Sequence, residues 1–174
     1  MNEIRYTVGE GQIGRILVGR LLPGTDLIEG IAKICNDYGI KNGVVSTAIG
    51  SLHKAVFKYL IPNPELKMGA GYGEPYELDG PIEFCSGMGL ICQNEKGELI
   101  VHFHGVFNTS IKKGYVKVVP EYMYGGHMEP GKNPVAATLD LMIVEVKGVE
   151  MVRKYDEETE IATKLDIKET GTRQ

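Results

Sequence analysis

The stretch IEFCSGMGLICQNEKGELIVHFHGV, residues 82–106, decides the fold. Its two halves, Ile82 to Cys92 and Glu98 to Val106, are short apolar runs rich in Ile, Val and Phe, the composition of strands. Between them Glu95-Lys96-Gly97-Glu98 supplies a glycine-containing turn of the length that joins two antiparallel strands. The stretch therefore predicts a hairpin. Upstream, Gly43 to Leu52 (GVVSTAIGSL) and Lys54 to Ile61 read as further strands, as do Val116 to Val119 and Val135 to Val146 downstream. Ile4 to Val8 suggests one more, short and N-terminal.

One helix stands out. Asp26 with Glu29 three residues on resembles a capping box, and Leu27, Ile28, Ile31, Ile34, Cys35 and Tyr38 then recur at helical spacing before Gly39, a residue that tolerates the left-handed stop. Gly9-Glu10-Gly11-Gln12-Ile13-Gly14 spells the dinucleotide fingerprint G-x-G-x-x-G. That motif needs a helix opening at the last glycine; Arg15-Ile16-Leu17-Val18 reads as a strand, so a glycine-rich turn between strands is the better expectation. Residues 62–80, rich in proline and glycine, read as a long loop, and from Arg153 on the chain is largely charged and expected to be partly ordered. Roughly eight strands and one good helix make an α+β domain on a mainly antiparallel sheet, with a boundary at residue 150 and a charged tail over 151–174.

Composition fits that class. The 174 residues are 43% apolar and 24% charged, as in one ordinary globular domain. Cys35, Cys85 and Cys92 are odd in number and form no C-x-x-C, which predicts reduced thiols in a cytoplasmic protein. The N-terminus lacks the apolar core of a secretory leader, and no run nears the ~20 apolar residues of a membrane span. A net charge of −4 and a pI of about 5.6 argue against a dedicated nucleic-acid binder.

Three of the four histidines fall in two tight motifs. His102 and His104, two apart on one strand, share a face. Side-by-side imidazoles serve no packing need but suit a metal ion. His127 follows Gly125-Gly126, a pair that lets the backbone come close and re-aim the next side chain. The expectation is a divalent metal, zinc first, on His102, His104 and His127, with one position open. The bland alternative, hydrogen-bonded structural histidines, fits a lone H-x-H better than it fits this set. His53, alone after Gly50-Ser51-Leu52, is read as structural. Glu83, an acid inside an apolar strand, is either a solvated outer-face residue or a general base, fourth ligand or partner to a histidine. Cys85 shares its face.

In order along the chain, Leu22-Pro23-Gly24-Thr25-Asp26, Val45-Ser46-Thr47-Ala48-Ile49-Gly50-Ser51-Leu52, Gly80-Pro81-Ile82-Glu83-Phe84, His102-Phe103-His104 and Gly125-Gly126-His127-Met128 resemble the plant and prokaryote conserved (PPC) domain over about residues 12 to 147. The resemblance implies an antiparallel sheet flanked by helices, a homotrimer, and a DNA-binding label. The bacterial and archaeal histidine pattern is present, whereas the Arg-Gly-Arg-Pro AT-hook of the plant members is missing. The fold is also similar to that of acetolactate decarboxylases, which hold zinc with three histidines. Two functions follow as expectations: a trimeric metal-binding module that regulates through partners or DNA, and a metal-dependent lyase or hydrolase acting on a small carboxylate or ester, with Glu83 as its base. A closed structural metal ranks below both, since such sites usually take four protein ligands.

Overall fold

The computed structural model describes residues 3–109 and 122–170. In chain order the elements are β1 (Gln12–Leu21), α1 (Leu27–Asp37), β2 (Gly43–Lys58), β3 (Leu60–Pro62), β4 (Ala70–Tyr72), β5 (Tyr76–Asn94), β6 (Leu99–Thr109), β7 (Tyr122–Met128), β8 (Val135–Lys147), β9 (Val149–Asp156) and β10 (Ile161–Glu169). Eight strands run in the order β1-β8-β2-β7-β6-β5-β9-β10, and β3 and β4 form a separate two-stranded sheet. Every pairing is antiparallel except the short contact of β5 with β9 at Gln93 and Asn94. The 82–106 hairpin is as expected: β5 and β6 pair from Ile82↔Thr109 to Gln93↔Leu99, turning at Gly97 with φ 78°.

The sheet closes on itself. β2 pairs with β5 from Gly43 to Phe57 and with β8 along its first part, to Leu52, and at its end Phe57 and Lys58 meet Met128 and His127 of β7. Since β7 pairs with β6 and β6 with β5, strands β2, β5, β6 and β7 enclose an aromatic core. Phe57, Phe84, Phe103 and Phe107 are all fully buried, with Phe57 edge-on to Phe107 at 4.8 Å. Each such ring contributes about 1.5–3 kcal/mol of hydrophobic stabilisation. Gly105 makes room for it, because a Cβ there would stand 2.5 Å from the Phe84 ring.

The inner face left open by β1, β8, β2 and the first part of β6 is covered by α1. Leu27, Ile28, Ile31 and Cys35 join Leu21, Val45, Ala48, Leu139 and Ile143 in one buried cluster. Asp26 caps the helix, its carboxylate accepting from the Ile28 and Glu29 amides, and Gly39 takes φ 66° after it. The sheet "flanked by helices" needs correction: α1 is the one helix among the described residues. The closed strands bury their own interior, so one face remains for a helix to cover. No helix among the described residues is long and apolar enough to cross a membrane.

Three other expectations change. Residues 3–11 carry no strand, and the glycine motif leads straight into β1. Residues 62–80 are no open loop but the β3–β4 hairpin and the start of β5. The charged segment after Arg153 is the β9–β10 hairpin, paired from Val149↔Glu169 to Asp156↔Ile161; Val149 and Met151 are buried, which anchors it to the sheet despite its charge. The expected strand Val116 to Val119 lies outside the described residues.

Candidate metal centre

His102, Phe103 and His104 alternate on β6, so Phe103 enters the core while both imidazoles leave the opposite face. β7 runs antiparallel beside it, with His127 directly opposite His104 and Gly126 opposite Gly105. A Cβ at Gly126 would stand 2.6 Å from the Lys58 carbonyl oxygen. The glycine thus lets β7 close against β2 and brings His127 into register.

The three side chains converge. One ring nitrogen from each lies within 4.8 Å of the others, and the cluster contains no carboxylate or thiol among the described residues. The ring centroids form a nearly equilateral triangle: 5.0 Å from His102 to His104, 5.0 Å from His102 to His127 and 5.4 Å from His104 to His127. The Nε2 atoms of His102 and His104 are 3.0 Å apart. That distance alone also suits a hydrogen bond, but such a bond gives the third ring no reason to sit equally close. Three imidazoles on one tetrahedral ion, with metal–nitrogen distances of about 2.0–2.1 Å, place their centroids roughly 5 Å apart. The Nδ1 of His127 is buried with no hydrogen-bond partner, an orphan that requires a reason.

Electrostatics keep the rings neutral, as ligation requires. Burial, then the nearby Arg153 charge, push the His102 pKa down to about 4, with the other two histidines adding to it. His104 is lowered by the same two leading causes, and His127 by burial and His104. Tyr72 of the β3–β4 hairpin lays its ring 5.3 Å from that of His127, and Lys58 and Glu129 form a 3.0 Å ion pair beside it.

The other candidates sit elsewhere. Glu83 is exposed and pairs with Asn108 on β6, four residues beyond His104. At about 3.3 Å per residue it stands roughly 13 Å along the same face. Cys85 is exposed and close to Glu83 and Asn108, whose amide donates to its Sγ at 3.4 Å. His53 is exposed and outside the cluster. Arg20 donates to Thr138 and the Ala137 carbonyl on β8.

Arg153 was the residue to find. The segment Val149-Glu150-Met151-Val152-Arg153 alternates, which puts Arg153 on the inward side with Val149 and Met151. Its reading as charged tail hid that parity. With His102 and His127 it lines a cavity of about 470 Å³. β7 pairs with β6 only from His104 onward, so the Leu99–Phe103 half of β6 is free of β7, and the cavity opens there. Its remaining walls come from α1, Tyr72 and the start of β10. Lys67 joins the two hairpins that frame it, its amide donating to Glu160 and its ammonium to the Glu157 carbonyl.

An α+β sheet closed into a small barrel, with an open three-histidine cluster on its outer face, defines the class. The chain belongs to the Plants and Prokaryotes Conserved (PCC) domain family, whose sequence profile matches residues 8–147. Among solved structures it is similar to a metal-containing protein from Archaeoglobus fulgidus, with 23% identity, a TM-score of 0.73, and 92% of this chain and 100% of that chain covered. A plant- and prokaryote-conserved protein from Pyrococcus horikoshii matches with 22% identity, a TM-score of 0.69 and coverages of 92% and 99%. A Bacteroides thetaiotaomicron protein described as a "putative dna binding protein" matches with 14% identity, a TM-score of 0.66 and coverages of 90% and 96%. At these identities the likeness concerns the fold. No curated protein matches the chain.

Proposed function

We propose that this is a metal-binding PCC-domain protein in which His102, His104 and His127 hold one divalent ion, zinc by preference, and leave a coordination position open to a small molecule. The carrying observation is the equal spacing of three neutral imidazoles, one of them with a buried unpartnered nitrogen. The description of the A. fulgidus neighbour as metal-containing agrees with it. Bound there, such an ion would supply Lewis-acid polarisation of a ligand oxygen or a water of lowered pKa. The chain's own part is to fix the three imidazoles on a rigid strand pair and to offer a mainly apolar cavity beside them. A small carboxylate or ester, taken by a lyase or hydrolase, suits that arrangement.

Glu83 does not reach the cluster within one chain. Its role as proton carrier is proposed only from a neighbouring subunit of a trimer, the assembly supported by the uncovered apolar face bearing Met88, Val106 and Met123. Metal analysis of the purified chain tests the reading: about one ion per chain, lost in His102→Ala, supports it, and a metal-free protein that takes up no divalent ion refutes it.

A DNA-binding or regulatory role is the second reading, favoured by the description of the Bacteroides neighbour and opposed by the net charge of −4. A cytoplasmic location suits either.

A further inference from the structure

We infer that Arg153 makes the cavity beside the three histidines a binding site for an organic monocarboxylate with an aliphatic body. This rests on the reading of the cluster as a metal centre open to a small ligand, and it names that ligand's class. Arg153 lies on β9 of the β9–β10 hairpin, beyond residue 147, where the family match ends.

Three observations combine. First, the Arg153 Nε–H is buried and has no hydrogen-bond partner among the described residues, and its Nη1 donates to the Thr163 carbonyl at 3.4 Å. A buried guanidinium donor left unpaired costs stability unless something completes it. Second, the guanidinium makes no ion pair among the described residues, although the same hairpin pairs Lys154 with Asp166 at 2.7 Å. Third, it is the one lysine or arginine, among the described residues, of a cavity otherwise walled chiefly by aliphatic groups such as Ile28, Ala32, Leu99 and Ile161.

A guanidinium fork matches a carboxylate, and an apolar chamber matches an alkyl chain. The size, about 470 Å³, fits a small metabolite. Glu29 is the single carboxylate of the lining among the described residues. It disfavours a second negative charge, so a monoanion is chosen over a dicarboxylate or a phosphate ester. With the carboxylate on Arg153, a polar group on the neighbouring carbon would lie on the histidine side of the cavity and the alkyl chain against α1 and β10.

The test is calorimetric titration of the full chain with hexanoate, hexanol and adipate, in the metal-loaded and chelator-treated forms, for the parent and two variants. Arg153→Met keeps the stem and removes the fork; Ala32→Leu narrows the chamber from the half-buried helix wall and leaves the guanidinium in place. Expected is hexanoate binding well above hexanol and adipate, weakened at least about tenfold in Arg153→Met with hexanol unchanged, and weakened for both probes in Ala32→Leu. Should Arg153→Met fail to fold, hexanoate selectivity over hexanol in the parent and the Ala32→Leu loss decide the matter. Equal binding of hexanoate and hexanol, or undiminished hexanoate binding in a folded Arg153→Met, overturns the inference. The two proposals separate cleanly. Arg153-dependent binding that survives in a protein unable to take up metal sustains the carboxylate site and sinks the metal centre; a metal-loaded protein blind to hexanoate does the reverse.

Discussion

His104 and His127 face each other across the β6–β7 ladder as register partners, their ring centroids 5.4 Å apart. Two strands distant in sequence thus hold the two rings at a separation fixed by backbone hydrogen bonds, and His102 joins from the same face. A site so preorganised loses little entropy on binding an ion. His104→Ala is expected to weaken zinc by more than about 100-fold, since even a ligand's hydrogen-bond partner is worth 10–100-fold. Chelation should lower the melting temperature of the parent, because a ligand at about 1,000 times its Kd stabilises by about 4 kcal/mol. Scanning calorimetry with and without chelator checks both; a melting temperature indifferent to chelator in parent and variant alike counts against the centre.

Asn133 locks the turn after His127 to the sheet and to the helix. Fully buried, it accepts from the Val56 amide at 2.7 Å, donates to the Glu129 carbonyl, and gives its own amide to the Asp26 carboxylate. Asn133→Ala strands the first two groups in the interior. It should cost about 2–3 kcal/mol and lower the melting temperature by roughly 5–10 °C. A shift under 1 °C would show that these bonds hold nothing together.

Acid should unpick β1 from β8. Arg15 sits at the bulge between Ile13 and Ile16, where the Glu145 carboxylate accepts its backbone amide, its Nε and its Nη2. Gly14 leaves room for that carboxylate, 2.6 Å from where a Cβ would stand, which gives the last glycine of the fingerprint a packing role. The Arg15 hydrogen bonds lower the Glu145 pKa to about 2, below its unfolded value near 4.3. A depressed carboxylate stabilises fully above the unfolded pKa and loses that contribution as pH falls toward 2. Arg15 is half exposed, so solvent screening holds the contribution to about 1 kcal/mol or less. Denaturant titrations at pH 7 and pH 3 should show this loss in the parent and a smaller one in Glu145→Gln; equal losses of stability in the two proteins would refute the account.

The histidine triad and the 82–106 hairpin were legible in the sequence because each depends on short-range rules, the two-residue period of a strand and the chemistry of a glycine turn. Asp26 and Gly39 marked the helix ends for the same reason. What escaped depends on distant pairing. Nothing local says that Phe57 and Lys58 will meet β7 and close the barrel, or that a charged segment will pair with itself through Val149, Met151 and their partners. Proline and glycine at 62–80 argued for a loop, yet Leu60↔Tyr72 and Pro62↔Ala70 pair, as glycines at turns permit. Arg153 was missed for want of that hairpin, and Glu83 stood out as an acid inside an apolar run, a pattern that does not tell that its side chain is exposed and four strand positions from His104.

DNA binding, if measured, should be weak and indifferent to sequence. Affinity for duplex tracks the number of phosphates neutralised, and the chain carries 19 Lys and Arg against 23 Asp and Glu. Fluorescence anisotropy with two unrelated duplexes should give matching isotherms that vanish between 50 and 200 mM salt. A tight complex at physiological salt with one duplex and not the other would restore the regulatory reading.

Assembly can be argued from the outer face of the closed sheet. Met88 is 61% exposed, Val106 45% and Met123 61%. Met88 is the register partner of His104, and Asn108, two residues beyond Val106, is that of Met123, so these apolar groups share one surface with the histidines. A lone exposed Leu or Met needs no explanation, but a contiguous apolar face on a regular sheet is where another chain docks. A second open depression, lined by Val44, Met88, Leu90, His102 and His104, lies on that surface, so a docked neighbour would cover the centre from there. The expected mass is that of a trimer, about 57 kDa or three times 19.1 kDa. Val106→Glu and Met123→Glu place charges where the interface would desolvate them, at a cost of several kcal/mol each, and should shift the mass toward 19.1 kDa while helical and strand content stay unchanged. Light scattering across a hundredfold range of concentration decides it. A parent chain that stays monomeric throughout removes both the trimer and, with it, any proton-carrying part for Glu83.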